Sequence, residues 1–318
     1  MSKISIAVVI PAFNAEHFIV RALDSVLRQT HLPDELLVVD DGSTDQTAEL
    51  ARSHAVAQSI PTRVLQQENS GLAATRNLAI RSAVSTHIAL LDADDEFEPE
   101  HIEFLHLAQQ QFPAATLYFS AMRREFHVTA PDSERVSLPD FRLLALRHCS
   151  SSDAATVRPM NSSILSALLG GNFIPTSGAM FPRSIGGSLT LHDDSLRFAE
   201  DRELFVRLAA LGQLIFIDRV GCIIHRHAGN MSGPRKQYSQ ALAVLKVLEM
   251  IRNKNILALD PAAGSRLQEL LSNQSEVLLY FAPTQGFSAT VAACRTYLRY
   301  ARHPKIHLMP KAFLRLLA

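Results

Sequence analysis

An α/β fold, with a mainly parallel sheet covered by helices on both faces, is predicted by three observations. Short apolar runs alternate with helical patterns through the first half of the chain, and such alternation implies parallel strands joined by crossover helices. The runs show little polar alternation, as expected of strands buried on both faces. Polar clusters follow the first, second and fourth runs: Pro11 to Asn14, Asp40 to Asp45 and Asp92 to Asp95. Sheets of this kind bind ligands beyond the carboxyl ends of their strands.

The elements follow in order. Residues 6–10 read as a buried strand. Between residues 15 and 30, Phe18, Ala22 and Val26 recur every four residues with Ile19, Leu23 and Leu27 beside them, a helix with one apolar stripe. Residues 36–39 form the next strand and 44–53 the next helix, with Ser43 or Thr44 as its cap. A third strand covers 63–65, a helix 72–83 and a fourth strand 88–91. The helix over 99–111 opens on Pro99, whose missing N–H costs nothing in a first turn. A further strand covers 117–119.

Residues 123–171 read as a variable insertion with short helices, punctuated by Cys149-Ser150-Ser151-Ser152-Asp153. Order resumes at 172–181, and 214–217 and 222–224 are strands. From residue 235 the pattern is helical, with one stripe of Tyr238, Leu242, Leu245 and Leu248 and another of Leu267, Leu271, Leu278 and Phe281.

The 318 residues, 47% of them hydrophobic, suffice for a large core, and the net charge of zero gives no bulk electrostatic case for nucleic acid. Cys149, Cys222 and Cys294 show neither zinc spacing nor a disulfide framework and read as reduced thiols. The start of the chain is strand-like, ending at Pro11, without the look of a signal peptide, and no apolar run approaches the ~18 residues a spanning helix needs. After Glu276 there are no acids, while Arg295, Arg299, Arg302, Lys305, Lys311 and Arg315 remain among Tyr297, Tyr300, Phe313 and Leu314. This basic tail fits either a membrane-surface contact or a solvated helix face.

Asp92-Ala93-Asp94-Asp95 is the most informative cluster, because three carboxylates at one strand end repel unless a positive charge holds them. A divalent cation carrying a diphosphate meets that need; a solvated acidic loop capping the next helix is the alternative. Asp201 opens the helical pattern Leu204, Leu208, Leu211, a position where the helix dipole stabilises a negative charge. His225 and His227 share one face of a strand-like segment.

Several segments together resemble family 2 inverting nucleotide-sugar glycosyltransferases of the GT-A fold. They are Val9 to Asn14, Val38 to Asp45, Asn69 to Asn77, Leu91 to Asp95, Glu200-Asp201 and His225-Arg226-His227, in that family's order and spacing over about residues 4–230. The resemblance implies a catalytic domain over 1–230, with a nucleotide-sugar half of about 1–120 and an acceptor half of about 121–230. A helical appendage with the basic tail then covers 231–318. It also implies a nucleotide site of Pro11, Ala12, Phe13, Asn14, Asp41, Arg76, Asp92 and Ala93. Asp41 would read a uracil edge, since a carboxylate accepts a ring N–H. Arg76 would offset diphosphate charge or form a structural ion pair with Asp94 or Asp41. Asp94, Asp95 and His227 would hold Mn2+ or Mg2+, Asp201 would be the catalytic base, and Glu200, Thr176, Ser177 and His225 would support the acceptor side.

The resulting expectation is a metal-dependent transfer from a UDP-sugar to a glycan or lipid-linked acceptor in surface polysaccharide synthesis. It would take place in the cytoplasm, either free or held peripherally at the inner face of the cell membrane, with closure of residues 229–233 as a gate. Two rivals are a nucleotidyltransferase, disfavoured because Pro11 to Asn14 stands where a glycine-rich phosphate loop would, and a non-catalytic sugar-nucleotide or glycan-binding module. Two departures from the family pattern concern the acceptor: Gly186 to Thr190 and His192-Asp193-Asp194 replace the usual segment before the base, and the chain has no Trp.

Overall fold

A computed structural model describes residues 4–54, 56–126, 140–150, 155–187, 196, 198–227, 237–253 and 261–301. The first half reads β1 (Ile6–Ala12), α1 (Ile19–Leu27), β2 (Glu35–Asp40), α2 (Thr47–Ser53), a one-turn α3 (Val56–Ser59), β3 (Thr62–Gln66), α4 (Leu72–Ser82) and β4 (His87–Leu90). There follow β5 (Glu96–Phe97), α5 (His101–Gln111), β6 (Leu117–Phe126), α6 (Phe141–Leu146), β7 (Val157–Pro159), α7 (Ser163–Gly170) and β8 (Ala179–Pro182). The last elements are α8 (Glu200–Leu211), β9 (Leu214–Arg226), α9 (Gln237–Asn253), α10 (Pro261–Phe281) and α11 (Phe287–Tyr300).

Among the described residues the sheet runs β3-β2-β1-β4-β8-β6-β9-β5, with β7 on β9. The parallel part that strand–helix alternation predicts is β3-β2-β1-β4. Beyond it the sheet is mixed: β8 runs antiparallel to β4 and β6, β6 runs parallel to β9, and β5 and β7 are antiparallel to β9. The two strands expected at 214–217 and 222–224 are one strand. Its pairing with β6 shifts register at Ser120/Ala121 and Ala121/Met122, and it carries Gly221 where a Cβ would strike His101 and Ser120. A bulge with glycine lets one strand bend where sequence reading breaks it in two.

Strand parity builds two cores. Ala7, Val9, Leu37, Val39, Ile88 and Leu90 face α4, α7 and α8, through residues such as Ile80, Leu168, Leu204 and Phe205. Ile6, Val8, Ile10, Leu36, Val38 and Ala89 face α1 and α5, through Ile19, Leu23, Val26, Ile102 and Leu105. The C-terminal helices join the first core, where Leu245, Leu248, Leu267, Leu271, Leu278 and Tyr297 are buried. Cys149, Cys222 and Cys294 are free thiols.

Two expected helix starts move. Asn14 takes a left-handed φ of 47° and α1 begins only at Ile19. α2 begins at Thr47, so neither Ser43 nor Thr44 caps it; the Asp45 carboxylate instead accepts the Thr47 N–H at 3.0 Å and the Thr47 hydroxyl at 2.5 Å. Burial would raise the Asp45 pKa, but these bonds and that from the Glu16 N–H outweigh it and lower it.

Candidate active site

Because β1, β2 and β4 are parallel, their carboxyl ends share one edge of the sheet. Pro11 and Ala12 are the last residues of β1, paired with Val39 and Asp40, and both are buried; Phe13 beyond them is 51% exposed. The loop that follows is zipped to the turn after β2. The Asn14 N–H donates to the Ser43 hydroxyl at 2.9 Å, the Asn14 side-chain oxygen accepts the Thr44 N–H at 2.9 Å, and the Ala15 N–H donates to the Thr47 hydroxyl at 2.7 Å. Asp40 accepts the Ser43 N–H and the Gln66 amide, which stiffens the same turn.

Asp41 is buried and organises the start of α4. Its Oδ1 accepts the Ser70 N–H at 2.8 Å and the Gln67 amide at 2.7 Å, and its Oδ2 accepts the Gly71 N–H at 2.9 Å. Gly71 itself needs glycine's freedom, with φ at 88°. An ionised carboxylate offers about four acceptor positions, so Asp41 keeps one on Oδ2.

From Leu91 to Phe97 burial alternates: Leu91, Ala93, Asp95 and Phe97 are buried, while Asp92, Asp94 and Glu96 are partly exposed. Asp92 and Asp94 therefore face the strand-end cleft. Ala93 packs into the second core, so only its backbone is placed for a ligand. Asp95 also turns inward: its Oδ2 accepts the Ser177 hydroxyl at 2.5 Å and its Oδ1 the His225 N–H at 3.2 Å.

Arg76, on α4, is almost wholly buried and joins distant parts of the chain. Its Nη2 donates to Asp92 Oδ1 at 2.5 Å and its Nη1 to Glu200 Oε1 at 2.7 Å. The ion pair expected with Asp94 or Asp41 thus forms with Asp92 and Glu200. Burial alone would lower the Arg76 pKa, but these two carboxylates raise it, so the guanidinium stays charged. The pKa values of three nearby acids are raised as well, which for a carboxyl group favours the neutral form. Burial, then the charge of Asp92, raises Asp94 against its bond to His227. Burial, then Asp94 and Asp92, raises Asp95 well above its ordinary value, and burial raises Glu200 against the attraction of Arg76.

Asp201 lies in the first turn of α8, just after Ala199, which takes a left-handed φ of 60°. Its Oδ2 accepts the Asn172 amide at 2.8 Å and the Thr176 hydroxyl at 3.3 Å, and its Oδ1 the Arg202 N–H at 2.7 Å. His227, just beyond β9, meets Asp94 Oδ2 through Nε2 at 3.0 Å. His225, two residues earlier, is buried and meets Glu96 Oε1 at 2.8 Å.

Sequence reasoning missed three contributors. Phe18, read as part of a core stripe, stacks on His227 with ring centroids 4.5 Å apart. Arg21 reaches the Asp94 carbonyl at 2.7 Å. Asn172 holds Asp201 and carried no signal beyond following a glycine pair. The segments 188–195 and 229–233, which bear on the acceptor and on loop closure, lie outside the described residues.

Among the described residues no group of three or more His, Cys, Asp or Glu is gathered around one cation position. The donor chemistry at Asp94 and His227 nevertheless suits a divalent cation: a carboxylate oxygen and an imidazole nitrogen lie 3.0 Å apart beside the charge of Asp92, and phosphate oxygens would complete the shell. Asp95, with both oxygens engaged inward, is poorly placed for the same role.

The sequence profile of "Glycosyl transferase family 2" matches residues 7–136. An uncharacterised glycosyltransferase of Rickettsia felis is 42% identical over 98 residues, 31% of this chain and 16% of that protein. The glycosyltransferase GlyA of Streptococcus pneumoniae is 34% identical over 103 residues, 32% of this chain and 14% of that protein. A chondroitin synthase of Escherichia coli is 37% identical over 98 residues, 31% of this chain and 14% of that protein. The chain therefore aligns with under a fifth of the length of each of these relatives. Among solved structures, S. aureus TarS 1–349 in complex with UDP-GlcNAc superposes with a TM-score of 0.63 at 19% identity, over 98% of this chain and 83% of that one. The mannosyltransferase PcManGT of Pyrobaculum calidifontis, in complex with GDP-Man and Mn2+, superposes with a TM-score of 0.60 at 17% identity, over 100% of this chain and 81% of that one. These superpositions establish the shared fold, and the glycosyl transferase family 2 profile matches the part of it formed by residues 7–136.

Proposed function

We propose that this protein transfers a sugar from a UDP-sugar to a hydroxyl of a glycan or lipid-linked acceptor, with inversion at the anomeric carbon and with Mn2+ or Mg2+ bound. The observation that carries the reading is the buried Arg76, which joins Asp92 of the acidic motif to Glu200 beside Asp201. Donor carboxylates and base are thereby held together at one edge of the sheet.

Each residue then has a task. The open position on Asp41 Oδ2 accepts the ring N–H of uracil, and the loop Pro11 to Asn14, with Phe13 at its exposed tip, flanks the base. Asp94 and His227 would hold the cation, which neutralises charge on the departing diphosphate as a Lewis acid. Asp201 takes the proton of the acceptor hydroxyl as that oxygen attacks the anomeric carbon opposite the leaving group. A single displacement of this kind inverts the centre. The bonds from Asn172 and Thr176 hold the carboxylate for it. The choice of a glycan acceptor draws support from relatives such as the chondroitin synthase.

Calorimetric titration of UDP and then GDP, each with and without Mn2+, tests the donor. Saturable UDP binding that needs the metal and is at least about tenfold tighter than that of GDP is expected; GDP binding as tightly as UDP would remove Asp41 as the base reader.

Peripheral contact with an anionic membrane is part of the same proposal. On α10 and α11, Tyr280 is 78% and Phe287 64% exposed, and Arg295 and Arg299 lie at the surface; the basic residues from 302 onward lie outside the described residues. No helix among the described residues is long and apolar enough to cross a membrane. Reversing both charges, Arg295→Glu with Arg299→Glu, should weaken co-sedimentation with phosphatidylserine vesicles by about tenfold or more at low salt. Unchanged sedimentation would take this face out of the proposal.

A further inference from the structure

We propose that the turn Thr176-Ser177-Gly178 is a clasp that fixes the base Asp201 and the acidic donor motif at one spacing, with Asp95 as its inward anchor and not a cation ligand. This rests on the reading of Asp201 as base and Asp94 as donor-side ligand given above.

Neighbouring side chains of this turn reach opposite halves of the site. The Thr176 hydroxyl donates to Asp201 Oδ2 at 3.3 Å. The Ser177 hydroxyl donates to Asp95 Oδ2 at 2.5 Å and accepts the Asp92 N–H at 3.1 Å. Consecutive Cα atoms are about 3.8 Å apart across a trans peptide, so the two anchors cannot move independently. The other Asp95 oxygen accepts the N–H of His225, two residues before His227, and brings the end of β9 into the same assembly. Asn172, four residues before Thr176, adds a second hold on Asp201.

The turn has no room to slide. A Cβ on Gly178 would lie 2.7 Å from the Ser120 hydroxyl, 3.0 Å from Pro175 Cγ and 3.3 Å from Cys222 Sγ. Ser177 is fully enclosed and Asp95 is 4% exposed. Asp95 therefore spends both oxygens on protein donors beneath the cleft, whereas Asp94 points into it. The alternation of buried and open positions along 91–97 separates the two aspartates into anchor and ligand.

The test uses the full chain with Ser177→Ala, Asp95→Ala, Asp95→Asn, Thr176→Val and Thr176→Ser. Two quantities are read: the affinity for UDP in saturating Mn2+, and kcat for release of UDP from UDP-glucose, UDP-galactose or UDP-N-acetylglucosamine. Ser177→Ala and Asp95→Ala should each weaken UDP binding about tenfold. Asp95→Asn should recover most of that loss, because an amide oxygen still accepts the His225 N–H and the amide nitrogen still meets the Ser177 oxygen. Thr176→Val should lower kcat about tenfold with UDP affinity held within about twofold, and Thr176→Ser should restore kcat.

An Asp95→Asn protein as impaired as Asp95→Ala would show that the charge itself is needed and overturn the anchor role. A Thr176→Val protein with wild-type kcat, beside an inactive Asp201→Asn protein, would overturn the clasp while leaving the base in place. Wild-type turnover in Asp201→Asn would bring down both the base assignment and the clasp. Thr176 is not in the core, so its variants carry the test if the buried ones fail to fold.

Discussion

Asp201→Asn is expected to lower sugar transfer by about 10³-fold, within the range a positioned general base contributes, while leaving metal-dependent UDP binding within about twofold of wild type. The asparagine keeps an oxygen to accept the Arg202 N–H, now bonded at 2.7 Å, so the first turn of α8 should persist. It cannot take a proton. A hydroxyl nucleophile left without a base attacks slowly, and the loss should appear in kcat far more than in KM for the donor. Steady-state kinetics at saturating donor, beside a UDP titration of the same sample, read both quantities. Equal losses of kcat and of UDP affinity would mean that the substitution disturbed the donor site and that the base lies elsewhere.

Arg76→Met is expected to destabilise the protein by about 3 kcal/mol, the cost of leaving the buried Glu200 of an ion pair uncompensated. Glu200 is 6% exposed and loses its bond from Nη1; Asp92 loses its bond from Nη2. Urea unfolding at pH 7.5 measures the loss. The sign of its pH dependence follows from Glu200, whose pKa burial already raises above 4.5 in the intact protein. Without Arg76 it rises further, so the folded variant binds a proton where the unfolded chain does not, and stability returns as pH falls through that raised value. The gap between variant and wild type should therefore narrow towards pH 5. Arg76→Lys should lose less, because a single ammonium keeps the charge but cannot span both carboxylates with a planar fork. A gap that stays the same from pH 7.5 to pH 5 would mean that Arg76 acts through packing of its stem, not through its charge.

The first half of the fold is legible because each of its strands is a short apolar run and polar clusters follow β1, β2 and β4. β1, β2, β3 and β4 fall within a few residues of their expected bounds. What local pattern conceals is pairing across long separations. Arg76 and Glu200 are 124 positions apart, and no periodicity announces that they meet. β5 has only two residues and exists because β9 pairs with it, so no run of its own could reveal it. The length of β9 was hidden by Gly221, which reads as a break but serves a bulge.

The acidic motif shows both outcomes within four residues. That Asp92 to Asp95 form the focus of the proposed site is suggested by like charges at a strand end. Which aspartates face the cleft follows from parity, Asp92 and Asp94 outward and Asp95 inward. Phe18 shows the opposite limit: its helical spacing places it on the stripe of α1, and only the fold reveals that the end of this stripe meets His227 at the rim of the site.

The central claim, that the strand-end carboxylates and Asp201 together perform sugar transfer from a metal-bound UDP donor, is tested most directly by turnover. Release of UDP from UDP-glucose, UDP-galactose and UDP-N-acetylglucosamine would be followed with Mn2+ and with EDTA, for wild type and for Asp94→Ala. The account predicts UDP release from at least one donor that stops in EDTA and falls by about 10²-fold or more in Asp94→Ala. UDP release that is unaffected by EDTA and by Asp94→Ala, or a folded protein that binds UDP with Mn2+ yet turns over none of the three, would contradict it.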